Sequence, residues 1–110
     1  MTDKDRFTQL EEQLDKFAQA KKLKTPEAKD LLDQYFDLII NYFKEINDVA
    51  SIDFDQMEDY PVVPMNFEER YHYMIERKYH FMGYRQMKTL KTELVKMNAS
   101  YKIRSKNKHS

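Results

Sequence analysis

The segment Thr25-Pro-Glu-Ala-Lys-Asp30-Leu-Leu-Asp-Gln-Tyr35-Phe-Asp-Leu-Ile-Ile40-Asn-Tyr-Phe-Lys-Glu45-Ile-Asn-Asp-Val49 decides the fold. Thr25 suits the N-cap, Pro26 the first helical position, and Glu27 the positive end of the helix dipole. At 100° per residue, Leu31, Leu32, Tyr35, Phe36, Leu38, Ile39, Tyr42, Phe43, Ile46 and Val49 fill about half of the helix circumference. A stripe that wide needs more than one neighbour. Asp30, Asp33, Asp37 and Asp48 gather on the other side with Asn41 and Lys44, which makes that side a solvated acidic face. The segment therefore reads as the central helix of a bundle, over about 26–48, touching at least two other helices.

The flanking segments supply those neighbours. Phe7, Leu10, Leu14, Phe17 and Ala18 recur at three- and four-residue spacing, which predicts an amphipathic helix over about 4–22, capped by Thr2 or Asp3. One such helix is marginal alone and must pack. Residues 50–66 lose the helical period at Asp53, Asp55, Glu58, Asp59, Pro61 and Pro64. Proline removes a donor and pushes the preceding residue extended, so this stretch reads as a long acidic crossover lying over the bundle. Its apolar members, Ile52, Phe54, Met57, Tyr60 and Val62, should tack it down.

Beyond the crossover, Asn66 and Glu69 have the spacing of a reciprocal capping box. Phe67, Tyr71, Met74 and Ile75 give the apolar stripe of a third helix. Carried on in one straight helix, the later set Tyr84, Met87, Leu90, Leu94 and Met97 would lie roughly 150° round the axis from the first. That phase jump predicts a turn near Arg77-Lys78-Tyr79, between helices at about 67–77 and 80–98. The alternative is one long helix clamped on both sides, which Gly83 would not forbid. Residues 99–110 alternate positive charge with little to bury, and read as a loose basic tail.

Composition agrees with an all-α domain of the four-helix-bundle type over residues 1–98. Straight side chains are plentiful, and the chain holds one glycine and three prolines. With 110 residues and no cysteine, a single modest core must stand on packing without disulfides or thiolate metal sites, as suits a reducing cytosol. The charged N-terminus and the lack of a long apolar run lead us to expect a soluble cytoplasmic protein without a membrane segment.

The formal net charge is zero, yet the charges are unevenly spread. Residues 25–66 hold ten acidic and two basic side chains, whereas residues 67–110 hold four acidic and eleven basic ones. Two explanations follow: oppositely charged helices pack together, or faces of opposite sign meet different partners.

Chemistry-bearing motifs are sparse. Glu69-Arg-Tyr-His72 has the Glu-x-x-His spacing of half a two-metal carboxylate site, with Glu76 and His80 further along the same face. No second copy exists, and Glu69 is also wanted by the cap, so no metal or cofactor is expected. A triad, a nucleophilic cysteine and a glycine-rich phosphate loop are all missing, which disfavours catalysis. Arg70, Arg77, Lys78, Arg85, Lys88, Lys91, Lys96, Lys102, Arg104, Lys106 and Lys108, with Tyr79 or Phe81 for stacking, offer a nucleic-acid surface as the alternative function. Eight Tyr, seven Met and seven Phe exceed what a minimal core needs, and Tyr and Met are enriched where proteins meet. The first expectation is therefore a protein-interaction or adaptor module. Its contact surface would comprise Arg70, Tyr71, Arg77, Lys78, Tyr79, Tyr84 and Arg85.

The pattern Pro64-Met-Asn66-Phe-Glu68-Glu69-Arg70-Tyr71-x-Tyr73, followed by Tyr79-His-Phe81-x-x-Tyr84-x-Gln86-Met87 and Leu90-x-x-Glu93-Leu94-x-Lys96, resembles the YpoC-like family of small helical proteins of Gram-positive bacteria. The likeness covers the third and fourth helices and implies a helical domain with no established activity or cofactor. It points to Glu69, Arg70, Tyr71, Tyr79, Tyr84 and Gln86, with Arg70 expected to pair with an acid of the crossover or of the second helix. Lys78 stands where the family pattern has proline.

Overall fold

The structure is a computed structural model that describes the backbone of residues 3–108 and the side chains of residues 4–104. Its α-helices are α1 (Asp3–Gln19), α2 (Pro26–Asn47), α3 (Phe67–Glu76) and α4 (Phe81–Lys108), with one 3-10 helix at Phe54–Asp59 and no strand among the described residues. The all-α class read from composition holds.

Helix α1 ends earlier than its apolar spacing predicts. Lys21 adopts the left-handed conformation, with φ of 58°. The Lys21 amide donates to Ala18 O and the Lys22 amide to Phe17 O, a pairing that closes a helix and favours glycine at the left-handed position. Thr2, one of the two caps expected for α1, lies outside the described residues, and Asp3 is already the first helical residue.

At α2 the sequence signals act as read. Thr25 Oγ1 accepts from the Ala28 amide at 3.4 Å, and Pro26 occupies the first turn. Leu32, Tyr35, Phe36, Leu38, Ile39, Ile40 and Phe43 are buried. Each such side chain contributes about 1.5–3 kcal/mol relative to leaving it in water. Contacts around α2 give the topology. Phe7 meets Tyr35 and Tyr42 from α1, Phe67 and Tyr71 meet Phe43 and Phe36 from α3, and Tyr84 meets Tyr35 from α4. With Glu11 of α1 bonded to Tyr35 and Asn98 of α4 bonded to Tyr42, the order of the pairs along each segment makes α1 and α3 antiparallel to α2, and α4 parallel to it.

Successive helices thus alternate in direction, and the connection after α2 has no reason to cross the bundle. It stays at one end, against the predicted crossover. Buried Asn47 holds it there: its Oδ1 accepts from the Val62 amide at 2.8 Å, and its Nδ2 donates to Val62 O at 2.8 Å and Phe43 O at 3.0 Å. Val62 is fully buried, while Ile52, Phe54, Met57 and Tyr60 pack at the core edge. Inside the connection, Asp53 Oδ1 accepts from the Asp55 amide and opens the 3-10 turn.

Asn66 is left-handed, with φ of 57°, and its side chain makes no capping bond. The predicted capping box is not formed, because a left-handed Asn66 does not present its carboxamide as a cap; asparagine tolerates that conformation better than most residues. Glu68 and Glu69 still favour the start of α3 through the dipole.

Two helices, not one, follow. The Arg77 amide donates to Tyr73 O and the His80 amide to Arg77 O at 3.0 Å, which closes the turn the phase jump predicted. Gly83 lies directly under that turn, and a Cβ there would stand 1.8 Å from Arg77 O. The glycine is needed for space, since its φ is not positive. Helix α4 then continues to Lys108, so the segment predicted as a loose tail is helical through residue 108. Asn98 is the last buried residue among the described side chains, and 99–104 are exposed. Extending an existing helix is far easier than nucleating one, and cations near its C-terminus oppose the dipole favourably.

Candidate interaction surface

Polar groups between α1, α2 and α4 form a layer directed into the protein. Tyr35 Oη donates to Glu11 Oε2 at 2.5 Å, and Lys91 Nζ reaches the same oxygen at 2.9 Å. Tyr84 Oη donates to Asp15 Oδ1 at 2.7 Å, joined by Lys88 Nζ at 3.0 Å. Burial, together with hydrogen bonds to carboxylates, holds both phenols well above the ordinary tyrosine range. Burial alone would raise Asp15, but hydrogen bonds from Tyr84 and Lys88 and the Lys88 charge bring it below the usual carboxylate value. The layer leaves no described buried side-chain polar atom without a partner. Its chemistry is structural: both phenols keep their protons and both carboxylates are neutralised by lysine.

The residues expected to form a contact surface divide between two roles. Arg70 is a latch between helices: Nε donates to Gln86 Oε1 at 3.2 Å, Nη1 to Met65 O at 3.3 Å, and Nη2 pairs with Glu93. Its acid therefore comes from α4, not from the connection or α2, because α3 packs antiparallel on α4. Tyr71 sits among Phe36, Phe54 and Phe67. Tyr84 is buried in the polar layer. Lys78 pairs with Asp33 at 3.3 Å and lies over the Phe36 ring. Tyr79 Oη donates to Asp33 Oδ1 at 2.8 Å, and that bond, with some burial, raises its pKa. Arg77 and Arg85 are exposed, over the rings of Tyr73 and Phe81 respectively. Of the expected surface, Tyr84 is buried, Arg70, Tyr71, Lys78 and Tyr79 are half-buried and engaged within the domain, and Arg77 and Arg85 are exposed; Lys78 and Tyr79 are brought together on Asp33, whereas Arg70 and Tyr84 belong to separate networks.

Glu69, His72, Glu76 and His80 are exposed, and His72 Nε2 lies 4.0 Å from Glu68, one turn earlier. Among the described residues no group of three or more His, Asp or Glu could hold a metal ion.

A largely apolar surface lies at the end of the bundle where the α1–α2 and α3–α4 turns meet. Ala18, Lys21, Leu23, Lys24, Tyr79, His80 and Phe81 line a cleft there of about 470 Å³. Phe81 is 51% exposed and Met82 52%, large apolar side chains that a helix start would not ordinarily leave in water. Sequence reading named Tyr79 for the surface and Phe81 for stacking, but missed Met82 and the lysines. One signal was present. Phe81 and Met82 fall more than about 100° from the centre of the stripe formed by Tyr84, Met87, Leu90, Leu94 and Met97, so α4 cannot bury both sets on one side. Leu23 and Lys24 gave no signal, since only the fold brings them to Phe81. A second concavity, of about 680 Å³, runs between α1 and α2 past Gln9, Gln13, Gln34 and Asn41.

No described helix is long and apolar enough to cross a membrane. Comparison with curated proteins and with solved structures finds no match. Comparison with family models does find one, and it reaches beyond the third and fourth helices that carry the motif resemblance to include α1 and α2. The model for YpoC-like protein matches residues 4–106, nearly the whole chain, and the chain belongs to the YpoC-like family.

Proposed function

We propose that this chain is a non-catalytic protein-interaction module whose contact surface is the cleft between the two turns, flanked by Phe81 and Met82. The observation that supports it is that Phe81, half exposed, lines a largely apolar cleft, with Met82 exposed next to it in the chain. Exposed apolar area bordered by polar residues is what association removes from water. Phe81 and Met82 stand at the head of α4, a rigid helix, so binding would cost little ordering of the backbone.

A photo-crosslinking amino acid in place of Met82, in cells, tests the reading. It should capture a protein that the same group placed at exposed Glu12, on α1, does not. Equal labelling at both positions, or none at Met82, would remove this surface as the contact site.

Nucleic-acid binding has one supporting observation: α4 continues past Asn98 with Lys102 and Arg104 exposed. Against it, Arg70, Lys78, Lys88 and Lys91 are engaged by Glu93, Asp33, Asp15 and Glu11 within the domain. A salt titration of binding to random duplex and single-stranded DNA tests the second reading; a steep loss of affinity with salt supports it, and no binding at low salt ends it.

A further inference from the structure

The geometry points to an acidic peptide segment as the occupant of the turn-end cleft, with one of its apolar side chains inserted beside Leu23 and Phe81. The inference rests on the protein-interaction reading above and assigns the partner a chemistry.

Charge and shape carry it. The cleft walls are Ala18, Leu23, Tyr79 and Phe81, and its remaining lining residues are Lys21, Lys24 and His80. No carboxylate lines it, and the first turn of α4 has none. Two carboxylates on the neighbouring helices are already engaged: Asp33 accepts from Tyr79 and pairs with Lys78, and Asp15 accepts from Tyr84 and pairs with Lys88. Lys21 and Lys24 therefore face solvent without an acid assigned to either. An apolar hollow rimmed by cations matches a chain that carries an apolar side chain between acidic ones. A volume of about 470 Å³ exceeds a single side chain and leaves room for the flanking backbone.

Lys21 adds a second observation. It holds the left-handed closing position of α1, where glycine would be unstrained. From that position its side chain lines the cleft.

A nucleic acid fits less well. The cleft contains no arginine to grip phosphate with two bonds, and the Phe81 ring already carries the Arg85 guanidinium, 5.9 Å from its centroid. A base stacking there would compete with that cation.

The test is fluorescence anisotropy with the full chain and a short labelled acidic peptide that has one central phenylalanine. Saturable binding is expected, weakening at least about tenfold when the central residue becomes alanine and again by about tenfold in Phe81→Ala. Raising salt should weaken it further. Lys21→Gly should lose affinity to a similar degree while melting no lower than the unmodified protein, which separates loss of the site from loss of the fold. Four results would overturn the inference: no saturable binding, equal binding of the alanine-centred peptide, equal binding of a lysine-rich peptide of the same pattern, or preference for oligothymidylate or phosphatidylserine vesicles over the peptide. If crosslinking at Met82 still captures a partner when the peptide fails, only the partner chemistry is wrong. If both fail, the interaction reading falls with it.

Discussion

Replacing Gly83 with alanine should destabilise the protein, although helix propensity alone predicts the opposite. In an unencumbered helix interior, alanine is favoured over glycine by about 1 kcal/mol. Here the added Cβ would sit 1.8 Å from Arg77 O and 2.6 Å from Arg77 C. A close C···O contact needs about 3.3 Å, so the α3–α4 turn must open by roughly 1.5 Å. The obstructing atoms are backbone, and Arg77 O accepts the His80 amide at 3.0 Å. Opening the turn therefore strains or breaks that bond, at about 1 kcal/mol, on top of about 1–3 kcal/mol for overpacking. Setting the propensity gain against both leaves a net loss of about 1–3 kcal/mol, or a melting temperature lower by about 5–20 °C for a domain near this size. Thermal unfolding followed by circular dichroism measures it. An unchanged or higher melting temperature would refute the close packing of the turn on α4. It would also revive the single long helix that the sequence leaves open, in which Gly83 would meet no such carbonyl.

Asn47→Ala should cost about 2–4 kcal/mol, because it leaves the buried Val62 amide and carbonyl without partners, and the connection should gain proteolytic cleavage near Val62. A denaturation midpoint equal to that of the unmodified protein would contradict this. Arg70→Ala should cost about 2 kcal/mol, Glu93→Gln less, and the double variant less than the sum, as measured by a double-mutant cycle; strict additivity would mean that the latch carries no coupling. Alkaline pH should unfold the protein early. The fold raises the pKa of Tyr35 and Tyr84 by burial and by hydrogen bonds to Glu11 and Asp15, so both keep their protons where the unfolded chain releases them. Their contribution is complete below about pH 10 and declines above it, at roughly 1.4 kcal/mol per pH unit for each tyrosine. Urea midpoints measured as pH rises should show that slope, and Tyr35→Phe should flatten it; an unchanged slope in that variant would remove Tyr35 as its source.

Legibility in the sequence followed the range of the physics. Local signals transferred well. Thr25-Pro26-Glu27 begins α2, and the width of the α2 stripe foretold neighbours on several sides. The phase jump between Tyr71-Met74 and Tyr84-Met87 located the turn before α4. Signals that depend on which end of a helix meets which were not legible. Arg70 finds Glu93 because α3 packs antiparallel on α4, and nothing in the residue spacing states that direction. The connection after α2 looked like a crossover because its length was visible and its destination was not. Asn66 and Glu69 had the right spacing for a box, but a left-handed backbone at Asn66 turned the side chain from its role. At the cleft, Leu23 and Lys24 become neighbours of Phe81 only once two distant turns are stacked at one end.

Asp33 with Lys78 is an ion pair between the acidic middle of the chain and its basic end, and the alignment of α4 is set by charges on α1. Glu11 and Asp15 are one turn apart on α1, and Lys91 and Lys88 are nearly one turn apart on α4, in reversed order. Antiparallel packing matches each acid to its own lysine, with Tyr35 and Tyr84 donating to the same carboxylates from within. Sliding α4 by one helical turn, about 5.4 Å, would leave Asp15 or Glu11 without its cation and withdraw Tyr84 from its acceptor. The polar layer therefore selects one alignment among several that an apolar stripe of Met87, Leu90 and Leu94 would tolerate. Half-buried carboxylates with both a lysine and a phenol are worth keeping for that selectivity even where their net contribution to stability is small. The cations consumed in this alignment are not available to a partner. Exposed cations outside this alignment include Lys21 and Lys24 at the turn end, Arg77 and Arg85 on either side of the α3–α4 turn, and Lys96, Lys102 and Arg104 on the later part of α4, and these are the charges a partner would meet.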